Sequence, residues 1–139
     1  MTNEDIELVQ GSWNRVLPLK KEAAELFYRK LFELDPGLRR LFTGNMEEQG
    51  AKLMQMITAA VNGLNRLEAL LPVVRQLGAR HGTYGVRDEH YDTVATALLW
   101  TLEQRLQHEF TAEVKAAWIK VYGVLSQVMR ESHDAPRAA

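Results

Sequence analysis

No cysteine occurs in the 139 residues of this chain. That excludes disulfides, iron–sulfur clusters, thiolate zinc sites and C-x-x-C-H attachment of a c-type haem. An excess of basic charge is missing too. The formal net charge is −1, so no broad positive surface exists to attract nucleic acid or anionic lipid. No apolar run approaches the ~18 residues of a membrane span. The first ten residues are acidic and contain no signal-peptide core. Strand-like alternation, internal repeats and low-complexity tracts are also absent. These absences leave a cytoplasmic protein without nucleic-acid partners or stable membrane insertion. With 46% hydrophobic residues, 139 positions suffice for one domain with its own core.

What is present is helical periodicity. Thr2 followed by Glu4 and Asp5 suits a helix start, and Ile6, Val9, Trp13, Val16 and Leu17 then recur at helical spacing. Pro18 marks a junction. A second helix carries Ala23, Phe27, Leu31 and Leu34 on one stripe. Asp35-Pro36 caps a short helix running through Leu38 and Leu41 to Phe42. Thr43-Gly44-Asn45 is a break. The next helix runs from about Met46 to Val61, with Leu53, Met56, Ile57 and Ala60 inward. Asn62-Gly63 interrupts it, and Pro72 is expected to start another helix bearing Val73, Val74, Leu77 and His81. The two longest helices follow. One spans about Asp88 to Gln107, with Tyr91, Val94, Ala95, Leu98, Leu102 and Leu106 inward. The other is capped by Thr111 and shows Val114, Trp118, Val121, Tyr122, Leu125 and Val128. Residues 1–132 are expected to form the domain and 133–139 a flexible tail.

Four residues spaced along this all-α chain suggest a pocket: Tyr28, Phe42, Gln49 and His81. Each has an ordinary reading. Tyr28 and Phe42 are core aromatics, Gln49 belongs to an acidic surface segment, and His81 is a solvated helix-end imidazole. Together they have another. Haem is a large apolar disc that fills space between helices and takes an axial imidazole. His81 falls on the apolar side of a helix end, where the local partial negative charge and a nearby carbonyl would orient its ring and leave one nitrogen for iron. Tyr28 would donate a hydrogen bond to an iron-bound ligand, with Gln49 completing that network. Leu53 would form an apolar wall, and Phe42 would stack on the ring. His108 and His133 lie among polar residues, and His90 is the weaker ligand candidate.

The ordered set resembles the bacterial single-domain haemoglobins and the globin domain of flavohaemoglobins over about residues 3 to 130. Its carriers are Leu26-Phe27-Tyr28-Arg29-Lys30-Leu31-Phe32, Asp35-Pro36 through Leu41-Phe42, and Gln49-x-x-Lys52-Leu53. Further along come Arg80-His81, His90-Tyr91 and Ala116-Ala117-Trp118-x-Lys120-Val121-Tyr122-Gly123-Val124. The resemblance implies a globin fold, helices packed around a non-covalent haem b (iron protoporphyrin IX). It implies His81 as iron ligand, Tyr28 and Gln49 on the ligand side, Leu53 as the apolar residue there, and Phe42 packed on the haem. Arg80 takes the place of a basic residue beside the iron ligand. Tyr91 matches a tyrosine that helps hold the imidazole. The family's glutamate on the last helix is replaced by His133. Glu131 lies two residues earlier, about 200° round the helix, too far to substitute without rearrangement.

The function implied is reversible O2 binding for storage or scavenging, with CO and NO as further ligands. The alternative is nitric oxide dioxygenation, converting NO and O2 to nitrate. A haem-based gas sensor is a third reading. No flavin- or dinucleotide-binding segment lies within these residues, so a redox cycle is expected to need an external reductase. A monomer or weak homodimer is expected.

Overall fold

The helices that open at Asn3, Met46 and Ala112 begin where a side chain holds a free amide. The computed structural model describes residues 1–42, 44–83 and 88–134; the side chains at 81–83, 88, 133 and 134 lie outside that description. Six α-helices are described: α1 (Asn3–Val16), α2 (Lys20–Leu34), α3 (Met46–Asn62), α4 (Leu67–Thr83), α5 (Asp88–Leu106) and α6 (Ala112–Asp134). No strand occurs among the described residues, and none of their helices is long and apolar enough to cross a membrane.

Thr2 and Asp5 form a reciprocal cap on α1. The Thr2 hydroxyl accepts from the Asp5 amide at 3.1 Å, and the Asp5 carboxylate accepts from the Thr2 amide at 2.9 Å. Pro18 sits in a 3₁₀ turn, Leu17–Leu19, that hands the chain to α2. Asp35 accepts from the Gly37 amide at 3.1 Å and starts the segment Pro36–Leu41, which winds as a 3₁₀ helix. Gly44 adopts φ +92°, a region only glycine enters without strain. Asn45 then accepts from the Glu47 and Glu48 amides at 2.8 and 3.2 Å and opens α3. Thr111 caps α6 by accepting from the Val114 amide at 3.2 Å.

The core joins the two ends of the chain. α6 receives α4 and α1, and α5 receives α2. Trp13 and Trp118 meet edge to face, ring centroids 6.0 Å apart. Both indoles find acceptors. Trp118 Nε1 donates to the Ser12 hydroxyl at 2.8 Å, and Trp13 Nε1 donates to the Thr58 hydroxyl at 3.0 Å. Two large apolar rings are thereby buried without leaving an N–H unpaired.

Several expectations are corrected. Pro72 does not start a helix; it lies inside α4. Leu70 and Val74 are buried and Leu67 packs against the core, so the stripe holds the chain helical through the proline. The carbonyl that the missing amide would have served belongs to Glu68, which is exposed to solvent. Val73 (60% exposed), Leu34 and Met56 face outward rather than inward. In α3 the buried row is Gly50, Met54 and Val61; Leu53, Ile57 and Ala60 are half-buried.

Candidate functional site

Two helices carry Tyr28 and Gln49, the residues expected on the ligand side, and a glycine decides how near the helices come. A Cβ built on Gly50 would lie 3.0 Å from the Ala24 Cβ and 4.0 Å from Tyr28 Cε2. Lacking one, α3 rests against α2 at this crossing. Tyr28 is 8% exposed, and its hydroxyl donates to the backbone carbonyl of Gln49 at 3.4 Å. That bond is long for an O–H donor. Burial pushes the Tyr28 phenol up from 10.0 to about 12, because the phenolate would lose its water. The side chain is therefore a neutral donor throughout the ordinary pH range.

Aromatic rings surround it. Phe42 lies edge-on at 5.3 Å, Phe27 edge-on at 5.3 Å, and Phe32 is stacked at 5.9 Å. Phe32 and Phe42 also meet at 5.5 Å, and the Arg39 guanidinium covers Phe32 from 5.3 Å. The 3₁₀ helix brings Phe42 back onto α2. The structure thus brings together Tyr28, Phe42 and the start of α3. The link to Gln49 runs through its backbone carbonyl.

Gln49, Leu53 and Ile57 follow one another at one-turn intervals along α3, and all are half-buried. Phe42, Leu53, Ile57 and Val94 pack on the core while keeping part of their surface uncovered. A separate groove of about 980 Å³ runs between α2 and α3, walled by Ala24, Tyr28, Phe32, Gly50 and Met54. Neither Gln49 nor Leu53 lines that groove.

On the other side, α4 carries buried Val74 and Gly78, half-buried Leu77 and exposed Arg80. His81 lies in the last turn of α4, three residues past Gly78. Its side chain falls outside the described residues, as does that of His133. Tyr91 is buried in α5, and its carbonyl accepts from the Tyr122 hydroxyl at 2.6 Å. Burial raises the Tyr122 phenol as well. Arg130 lies 5.2 Å over the Tyr91 ring and pairs with Asp92 at 3.0 Å. Glu131 is exposed and accepts from Gln127 at 3.2 Å. His90 lies 4.0 Å from the Asp35 carboxylate.

Sequence reasoning did not single out Gly50, Gly78 or Phe32. The tight helix approaches at the two glycines carry no local sequence signal. Phe32 sits one turn beyond Tyr28 and was legible as a second aromatic on that face.

Known proteins share this fold. The globin family model matches residues 25–129. Neuroglobin of Tetraodon nigroviridis is 31% identical over 139 residues, covering 90% of this chain and 87% of that one. Neuroglobin-2 of Oncorhynchus mykiss is 29% identical, covering 93% and 90%. Among solved structures, a hexacoordinated heme protein from an anhydrobiotic tardigrade superposes with a TM-score of 0.87 at 18% identity, covering 97% of this chain and 96% of that one. An engineered carbene transferase, RmaNOD, named as a nitric oxide dioxygenase from Rhodothermus marinus, superposes with a TM-score of 0.82 at 25% identity, covering 93% and 90%. With the family model spanning most of the helices that build the site, and a relative this similar along nearly the whole chain, the chain belongs to the globin family.

Proposed function

We propose that this chain holds haem b non-covalently, with His81 as the axial ligand, and binds O2 reversibly. Membership of the globin family carries haem binding and an oxygen-related role. When bound, ferrous haem supplies a coordination position that takes O2. The residues present fit such a disc. Phe42, Leu53, Ile57 and Val94 offer apolar surface that the rest of the core leaves partly uncovered. Arg80, exposed beside His81 in sequence, suits a haem propionate at the surface.

The observation that carries the reading is the Tyr28 phenol. It is buried among aromatic rings, held neutral, and engaged among the described residues by a long bond to the Gln49 carbonyl. A donor so loosely held can turn to a partially negative diatomic ligand at little cost. Its proton then favours O2 over uncharged ligands and slows release, which suits storage or scavenging. The Gln49 side chain, one turn before Leu53, would add a second donor. Tyr91 would support the imidazole on the opposite side.

Absorption spectra of the protein supplied with haem, ferric, then dithionite-reduced, then under CO, test the reading in wild type and His81→Ala. A ferrous spectrum that converts to a six-coordinate CO form in wild type, and is lost or altered in His81→Ala, is expected. The same spectra in both proteins would remove His81 as the ligand.

The likeness to a structure named as a nitric oxide dioxygenase favours a second reading. NO and O2 would combine with one electron to give nitrate, the electron coming from a separate reductase. Sustained NO consumption with an added reductase supports it. A single stoichiometric burst restricts the protein to O2 binding.

A further inference from the structure

Gly78 lies in α4, buried, one helical turn before His81. A Cβ built there would overlap the carbonyl oxygen of Met129 and sit 2.7 Å from its Cα and 2.9 Å from its carbonyl carbon. All three are backbone atoms of α6, so no side-chain rotation relieves the overlap. Elsewhere the glycines are less constrained. Gly11 and Gly123, also helical, have nothing within 4 Å of a built Cβ. Only at Gly78 does the backbone of one helix lie directly on the backbone of another among the described glycines.

This contact sits where it matters for the α4 terminus. α4 rests principally on α6. Position 81 is three residues on, a rise of about 4.5 Å, within the same turn of the same helix. A helix is stiff over that length, so displacement at 78 is carried to 81. Relieving a carbon–oxygen approach of this kind to ordinary contact demands a shift of about 1 Å.

We propose that Gly78 is a positioning residue for the iron ligand: by letting α4 lie backbone to backbone on α6 at Met129, it sets where position 81 is held. The inference rests on His81 being that ligand. It concerns distance and tilt, not the existence of the bond. Gly78 touches no reacting group and acts through the helix.

The test compares wild type, Gly78→Ala and Gly123→Ala, each loaded with haem and reduced. Circular dichroism reports folding, resonance Raman reports the iron–imidazole stretch, and transfer to an acceptor globin reports haem loss. Gly78→Ala is expected to shift or broaden the iron–imidazole band and to weaken haem retention about 10–100-fold, the range seen when the support of a metal ligand is disturbed. Gly123→Ala should leave both unchanged. In a His81→Gly background supplied with free imidazole, the tether is cut, and Gly78→Ala should no longer move the band. A wild-type band and wild-type retention in folded Gly78→Ala overturn the proposal. So does a Gly78→Ala protein that fails to fold while Gly123→Ala folds, since glycine at 78 is then required by the fold itself. If wild type shows no iron–imidazole band, the ligand assignment fails with it, and that is seen before any variant is made.

Discussion

The hydroxyl of Tyr28 faces the backbone carbonyl of Gln49 across 3.4 Å, so one phenolic proton bridges α2 and the first turn of α3. A buried donor at that length is retained more by its surroundings than by its acceptor. Phe27, Phe32 and Phe42 hold the ring, and the proton remains available.

Replacing Tyr28 with Phe keeps the ring and removes the proton. Stability should change by no more than about 1 kcal/mol, because the bond lost is weak. O2 dissociation, measured by stopped-flow displacement with CO, should accelerate about tenfold or more if the phenol contributes a typical hydrogen bond to a charged partner. An unchanged rate would remove Tyr28 from the ligand site.

Tyr28 and Tyr122 both have phenols raised above their unfolded value of 10.0 by burial. A raised folded value means that the unfolded chain loses these protons first. Their contribution to stability is complete below pH 10 and disappears as pH rises through about 12 for Tyr28. Denaturation midpoints should therefore fall progressively from pH 10 upward. Tyr28→Phe should flatten that fall, and O2 kinetics should be insensitive to Tyr28 ionisation between about pH 6 and 9. A fall as steep in Tyr28→Phe as in wild type would contradict this assignment.

Gly50→Val would push a branched side chain into the Ala24 methyl, which already lies 3.0 Å from a built Cβ. Overpacking of this kind costs about 1–3 kcal/mol. Urea unfolding should show that loss. Because the crossing also sets the Tyr28–Gln49 distance, ligand dissociation should change in the same variant.

Ser12→Ala strands the indole N–H of Trp118, whose donor bond of 2.8 Å ends on the Ser12 hydroxyl. Both residues are buried, so water cannot replace the acceptor. A loss of about 1–3 kcal/mol is expected. Ligand binding should be untouched, which separates this change from those at the α2–α3 crossing. Wild-type thermal stability would show that the indole finds another acceptor.

Much of the fold was legible in the residues. Thr2, Asp35 and Thr111 act as the caps their side chains suggest, because capping is local. The bounds read for α5 and the Thr111 start of α6 lie within a residue of those observed, although Val94 and Ala95 are half-buried where burial was expected. Pro72 misled because its local rule, proline in a first turn, was outweighed by the burial of Leu70 and Val74. Met56 misled because α3 buries Gly50 and Met54 on α2 and turns its larger apolar residues only half inward. The edge-on meeting of Tyr28 with Phe42 was not legible, since sequence order sets neither ring's partner. The use of the Gln49 carbonyl rather than its amide was not legible either, since it depends on how closely two helices cross. Gly50 and Gly78 were invisible for the same reason: a close approach belongs to a pair of elements, not to one.

The bond between Trp118 and Ser12 joins residues 106 positions apart. Its consequence is temporal. As the chain is made, α1 emerges long before the helix that satisfies it, with Ser12 and Trp13 lacking Trp118 until the last segment follows. Helices α2, α3 and α5 can gather earlier through contacts nearer in sequence, α4 waits for α6 as α1 does, and closing the two ends is a late, long-range step that carries the larger loop-entropy cost. A nascent chain stalled before Trp118 would expose the inner face of α1 and invite a chaperone, and release of the final helix would bury it.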